Sequence, residues 1–88
     1  MKIFETGKEV NDDTIQKRIE ADMTMLGGNA SSVDQSLVGR NWKEVALSES
    51  KIHYYSKEGT KIYQVQMATS GKVKEKSWYQ EFWDGFKL

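Results

Sequence analysis

The C-terminal segment constrains the fold of this chain more than any other, because five aromatic residues fall within residues 77–86. At about 100° per residue they share a helical arc of about 140°, with polar residues opposite. The five are Trp78, Tyr79, Phe82, Trp83 and Phe86. Ser77 and Gln80 have the spacing of a capping box, which predicts that the helix begins there. A helix with so large an apolar face must cover a sheet or another helix.

A second helix is predicted over residues 11–26. Asn11 is a good N-cap, and two aspartates follow in the first turn, where the helix dipole favours negative charge. Four apolar residues recur at helical spacing, namely Ile15, Ile19, Met23 and Leu26. Gly27 and Gly28 then supply a left-handed C-terminal stop.

The region between the helices has the pattern of antiparallel strands, with strands predicted over 42–47, 51–56 and 61–67 and a short charged edge strand over 72–76. A two-residue turn at Glu58-Gly59 pairs Tyr54 with Tyr63. This register gives one clearly apolar face. The other face is mixed and holds His53, Tyr55, Ile62 and Gln64, which indicates a sheet covered on one side. Residues 2–5 are compatible with a short strand, but the sequence does not decide whether they form one. Residues 27–41 are predicted to form a loop with room for one helical turn over 32–37.

These elements predict one domain over residues 1–88, of the α+β class. We expect two layers: an antiparallel three- to four-stranded sheet with an N-terminal helix (11–26) and a C-terminal aromatic helix (77–86) on one face. The order helix, three strands, helix resembles that of the double-stranded-RNA-binding domain. That family's basic helix start is replaced here by Ser77-Trp78-Tyr79-Gln80-Glu81. The resemblance is therefore one of element order and does not imply RNA binding.

Composition narrows the functional classes. The 88 residues contain no cysteine, which is typical of a reducing compartment and predicts a cytoplasmic protein. The N-terminus has no apolar run of a signal peptide, and no segment has the length of a membrane span. Thirteen basic residues balance thirteen acidic ones, unlike the strongly basic composition of many nucleic-acid binders.

Catalytic chemistry is not indicated by these residues. A single histidine and no cysteine exclude cysteine nucleophiles and multi-histidine metal sites. His53 lies within a predicted strand, and nothing in the sequence indicates a nucleophile or an orienting acid for it. We therefore expect no enzymatic activity, no cofactor and no metal.

The aromatic segment is instead the candidate binding site. Its arc is wider than the ~100° that a core-facing helix needs, so the margins, Trp78 and Trp83, are predicted to extend past the sheet beside Tyr79. Three lysines are nearby in sequence: Lys72, Lys74 and Lys76. The leading hypothesis is a non-enzymatic protein-binding module. It would be a small regulator or inhibitor, of the type found among phage and mobile-element products, that occupies a surface of a larger protein.

Two alternatives remain open. The first is a nucleic-acid-binding domain that uses the basic and aromatic edge over residues 72–79. The competing interpretation of the lysines is an edge strand that they protect from pairing with other chains. The second alternative is a homodimer in which sheet edges or aromatic margins pair with those of a second copy.

Overall fold

The computed structural model describes residues 1–29 and 31–87. Its elements in chain order are β1 (Lys2–Glu5), α1 (Asp12–Leu26), β2 (Val33–Leu37), β3 (Arg40–Ser48), β4 (Lys51–Glu58), β5 (Lys61–Ala68), a 3₁₀ turn (Val73–Glu75) and α2 (Ser77–Asp84). Within the described part of the chain, five strands form one antiparallel sheet in the order β1-β5-β4-β3-β2. The α+β class is confirmed, with five strands rather than three to four.

The two helices cover opposite faces of the sheet, so the expectation of two layers is wrong. One apolar cluster lies on the α1 face and comprises Val10, Ile15, Ile19, Met23, Val45, Tyr55 and Ile62. The other lies on the α2 face and comprises Trp42, Ile52, Tyr54, Tyr63, Val65, Met67, Val73 and Trp83. Strand β4 shows the reason most directly, because its neighbours Tyr54 and Tyr55 point to opposite faces and both are fully buried. The face with mixed residues thus still holds enough apolar surface to pack a helix.

The β4–β5 hairpin forms as predicted but in a shifted register. Its loop is Gly59-Thr60, so Tyr54 pairs with Val65 rather than with Tyr63. Gly59 has φ +59° at the first loop position, a conformation that glycine adopts without strain. A shift of two residues returns each side chain to the same face, so the predicted composition of both faces survives.

The predicted loop over 27–41 is wrong, because its second half forms β2 and a tight hairpin with β3. The hairpin turns at Val38 and Gly39, whose φ angles are 50° and 74°. Positive φ at both positions is the geometry of a type I′ turn. Valine rarely adopts it, since its branched side chain crowds the backbone there. Gly39 is the usual residue at the second turn position, but the asparagine, aspartate or glycine expected at the first position is replaced by Val38.

The predicted edge strand over 72–76 is also wrong. The outer edge of β5 is taken by β1, which pairs Lys2 with Gln64, so the short strand that the sequence left open over residues 2–5 is present. Residues 73–75 instead turn as a 3₁₀ helix on the α2 face. Val73 anchors this turn: its side chain is fully buried, and its N–H donates to the carbonyl of Glu49 over 2.9 Å.

The predicted helices are both present. For α1, Asn11 accepts a hydrogen bond from the N–H of Thr14 over 2.9 Å, and Gly27 caps the other end with φ 73°. Leu26, expected on its buried face, is 44% exposed. For α2, the capping box is absent, because Lys76 is the N-cap and no side chain caps the helix. Gln80 donates instead to Asp84 over 2.8 Å, one turn along the helix.

Candidate partner-binding surface

The aromatic face of α2 is not buried symmetrically. Trp83, predicted at an exposed margin, is only 2% exposed and lies at the centre of the α2-face core. Its ring packs edge-on against Trp42 and Tyr54, with centroids 5.2 Å and 5.0 Å away. The prediction for Trp83 is therefore wrong. A helical wheel shows which residues share a face, but it does not show how far the helix rolls about its axis when it packs on the sheet.

The rotation of α2 about its own axis that buries Trp83 exposes the opposite margin of the aromatic arc. Trp78 and Phe82, one helical turn apart, are each 37% exposed, and we call this pair the aromatic flank. Phe82 is held in place from behind, since its ring lies edge-on to Trp83 at 5.1 Å and against Phe86 at 5.7 Å. Trp78 is thus exposed as predicted, and Phe82 takes the place that was assigned to Trp83.

Tyr79 is half-buried, and its hydroxyl is committed to the interior. It lies 3.0 Å from the hydroxyl of Tyr54, which in turn donates to a carboxylate oxygen of Glu44 over 2.8 Å. Because the single hydrogen of Tyr54 is directed to Glu44, Tyr79 must be the donor to Tyr54. Burial and the neighbouring Tyr79 and Glu44 raise the pKa of Tyr54. Tyr79 therefore supports the core and contributes little to the aromatic flank.

The three candidate lysines do not form a continuous basic patch. Lys74 donates to the buried Glu44 over 2.9 Å, and Lys72 lies 3.8 Å from Glu75. Lys76 is half-buried and has no ion pair among the described residues. The pocket beneath this turn, about 280 Å³, is lined by three carboxylates as well as two of the lysines. Acidic and basic groups therefore alternate where a phosphate-binding surface would need an excess of positive charge.

A second group of polar residues, which the sequence analysis missed, is buried under α1. Asp22 is 8% exposed and accepts hydrogen bonds from Tyr55 over 2.7 Å and from the amide of Gln64 over 2.8 Å. Arg18, one turn earlier, donates to its other oxygen through Nε over 3.0 Å and also through its terminal nitrogen. Burial acts to raise the pKa of Asp22, but the hydrogen bonds from Arg18 and Tyr55 outweigh it and hold the pKa below its usual value.

His53 completes this buried polar cluster of Asp22, Tyr55, Gln64 and His53. Its Nδ1 lies 3.3 Å from the Tyr55 oxygen. The one hydrogen of Tyr55 goes to Asp22, so His53 must donate to Tyr55 through Nδ1–H. Nε2 then carries a lone pair, and it is buried with no partner among the described residues. Burial lowers the pKa of His53, and Lys51 and Lys2 lower it further against an opposing effect of Asp22.

One signal in the sequence pointed to this cluster. Asp22 follows Ile19 by three residues and Ile15 by seven, so the helical period places its carboxylate on the buried face of α1. A carboxylate in such a position needs buried donors. The sequence does not show which residues donate to Asp22, because Tyr55 and Gln64 are 33 and 42 residues away in the chain.

Two further findings concern the part of the chain that the structure describes. In that part, no three histidine, cysteine, aspartate or glutamate side chains come together as a metal site, and neither helix has the length and apolar character to cross a membrane. No protein-family model, curated protein or solved structure matches this chain. Function is therefore inferred from the geometry of the molecule.

Proposed function

We propose that this protein is a non-enzymatic protein-binding module, a small regulator or inhibitor that occupies a surface of a larger protein. The observation that carries the proposal is the aromatic flank. Trp78 and Phe82 remain 37% exposed, side by side, on a helix whose other aromatic side chains are committed to the core. Large aromatic side chains supply a disproportionate share of the binding free energy in protein interfaces.

Phe82 of the aromatic flank is also supported by the core beneath it. Phe82 rests on Trp83, which is wedged between Trp42 and Tyr54 in the core. A side chain held in one position loses little conformational entropy when a partner covers it, and this favours binding. The absence of cysteine from the sequence supports a cytoplasmic setting for this interaction.

Nucleic-acid binding is the weaker alternative. Lys74 and Lys72 are paired with Glu44 and Glu75, and the whole chain has a formal net charge of zero. Few counterions would then be released from a bound phosphate backbone, and that release is the main source of affinity for nucleic acid.

A capture experiment tests the proposal. The immobilised protein is exposed to a host-cell extract beside the variant Trp78→Ala/Phe82→Ala and the control Met25→Ala. Met25 is 85% exposed on the other helix, so its substitution removes apolar surface away from the flank. We expect a protein that is retained by the wild type and the control and is lost from the double variant.

Two outcomes would count against the proposal. Equal capture by all three proteins would show that the flank is not the contact. Capture that disappears after nuclease treatment, or that falls steeply between low and physiological salt, would favour the nucleic-acid alternative.

A further inference from the structure

The free edge of strand β2 lacks the features that usually protect a sheet edge. Within the described residues, β2 is hydrogen-bonded to β3 on one side, and its other side is open. It contains no lysine, arginine or proline. Its one charged side chain, Asp34, is paired with Lys43 over 2.6 Å. Val33 is 60% exposed. The opposite edge, β1, is shorter and carries the charged residues Lys2 and Glu5.

The hairpin geometry determines which backbone groups of β2 face outward. Leu37 and Arg40 flank the two-residue turn, so they form a hydrogen-bonded pair. Hydrogen-bonded and non-hydrogen-bonded pairs then alternate along the ladder. The N–H and C=O groups of Gln35 therefore face β3, and those of Asp34 and Ser36 face the open side.

We propose that this edge binds the same edge of a second copy, in an antiparallel pair centred on Gln35. In this register Asp34 of each copy lies opposite Ser36 of the other. The two-fold axis gives two such pairs, and the main-chain groups of both pairs form hydrogen bonds across the contact. The carboxylate of Asp34 then faces a hydroxyl rather than a like charge.

The side chains on the α2 face fit the same register. Val33 lies on this face, since its partner in β3 is Glu44, and so does Leu37, which packs against the α2-face core. Pairing centred on Gln35 places Val33 of each copy opposite Leu37 of the other. The exposed Val33 therefore gains an apolar partner at each end of the contact.

Other two-fold registers fit less well. A pair centred on Asp34 sets two aspartates directly opposite each other. A pair centred on Ser36 sets Asp34 opposite Val38, which has left the extended conformation with φ 50°. The net charge of zero imposes no long-range repulsion between the two copies.

The mass in solution tests this dimer. Light scattering over a wide range of protein concentration should give a mass that rises toward twice that of the 10.1 kDa chain. Val33→Lys should remain a monomer throughout. The matched control is Ile3→Lys on the opposite edge, where Ile3 is 54% exposed, and it should dimerise like the wild type. A monomeric wild type, or a dimer unaffected by Val33→Lys, would overturn the proposal.

A disulfide test of the register uses the absence of native cysteine. Residues 35 of the two copies form a non-hydrogen-bonded pair with Cα atoms about 4.5 Å apart, which a disulfide can bridge. Gln35→Cys should therefore form a covalent dimer under mild oxidation. Ser36→Cys places its two thiols on diagonal positions, with Cα atoms about 7–8 Å apart, and should cross-link far less. Equal cross-linking of both variants would contradict the Gln35-centred register. Neither edge variant alters Trp78 or Phe82, so failure here leaves the proposed function standing.

Discussion

The two faces of the sheet are stabilised by different kinds of contact. On the α2 face the centre is a group of aromatic rings, with Trp83 between Trp42 and Tyr54. On the α1 face, apolar side chains share the interior with a carboxylate, a phenol, an amide and an imidazole. Each face has a buried nitrogen without a hydrogen-bond partner among the described residues, Nε2 of His53 on the α1 face and Nε1 of Trp83 on the α2 face. The α2 face also contains buried hydrogen bonds, since Tyr54 donates to Glu44, but its centre is aromatic and depends mainly on shape and area. The α1 face depends more on the matching of donors to acceptors, because its hydrogen bonds join four buried polar side chains.

This difference explains why the packing on the α2 face was easier to predict from the sequence than the hydrogen bonds on the α1 face. Aromatic packing follows from a period within one helix, and that period is visible in ten consecutive residues. A buried hydrogen-bond cluster joins side chains from three elements, and no local pattern connects Asp22 to Tyr55 or Gln64. The two faces should also respond differently to substitution, pH and loss of a single polar atom.

The largest expected effect is that of Trp83→Ala on the α2 face. Removal of a buried Trp side chain costs about 3–5 kcal/mol, a large share of the stability of a domain of this size. The measurement is urea unfolding followed by circular dichroism, which does not depend on the tryptophan itself. Trp78→Ala is the matched control, and it should cost clearly less, about 1–2 kcal/mol, because Trp78 is 37% exposed. Similar losses for the two variants would contradict the described roll of α2.

Asp22→Ala tests the α1 face and should have the next largest effect. It leaves the Tyr55 hydroxyl and the Gln64 amide without their shared acceptor, and each buried group left unpaired costs about 1–3 kcal/mol. We expect a loss of about 2–4 kcal/mol in the free energy of unfolding. Asp22→Asn keeps an acceptor oxygen and should cost less.

The control for this variant is Glu20→Ala, which removes an exposed carboxylate from the same helix. It should change the free energy of unfolding by no more than about 0.5 kcal/mol. If Asp22→Ala were as mild as Glu20→Ala, the buried polar cluster would not contribute to stability.

Several parts of the fold could be predicted because their signals are local. Asn11 and Gly27 mark the ends of α1, and the aromatic period marks α2. The faces of β4 and β5 were predicted correctly although the register was not, since a shift of two residues leaves every side chain on its own face. The side of α2 that is buried depends on tertiary packing, so the exposure of Phe82 instead of Trp83 could not be read from the wheel.

Other parts lacked a signal in the sequence. Strand β2 was missed because Val38 adopts a positive φ that valine seldom takes, so the turn could not be recognised. The lysines of residues 72–76 were interpreted as an edge strand, although β1 already occupies that edge. This pairing joins residues about sixty positions apart, and a single sequence contains no measure of such contacts.

The smallest expected effect is a dependence of stability on pH that comes from the α1 face. Burial lowers the pKa of His53 below its usual value of about 6.5, so the unfolded chain binds the proton more tightly than the folded one. Stability is then fully present above about pH 6.5 and is lost as the pH falls below it, with a limiting slope of about 1.4 kcal/mol per pH unit.

Urea unfolding at a series of pH values between neutral and mildly acidic measures this slope. His53 is the sole histidine in the sequence, so His53→Gln should flatten the dependence whatever its effect on stability at neutral pH. Asp22 does not produce the same slope, because its pKa is held below that of an ordinary aspartate and it titrates in more acidic solution. A wild-type protein whose stability did not change through this range would show that the imidazole is solvated when folded. The unpaired Nε2 would then not be a buried feature of the α1 face, and the contrast between the two faces would rest on Asp22 and its donors alone.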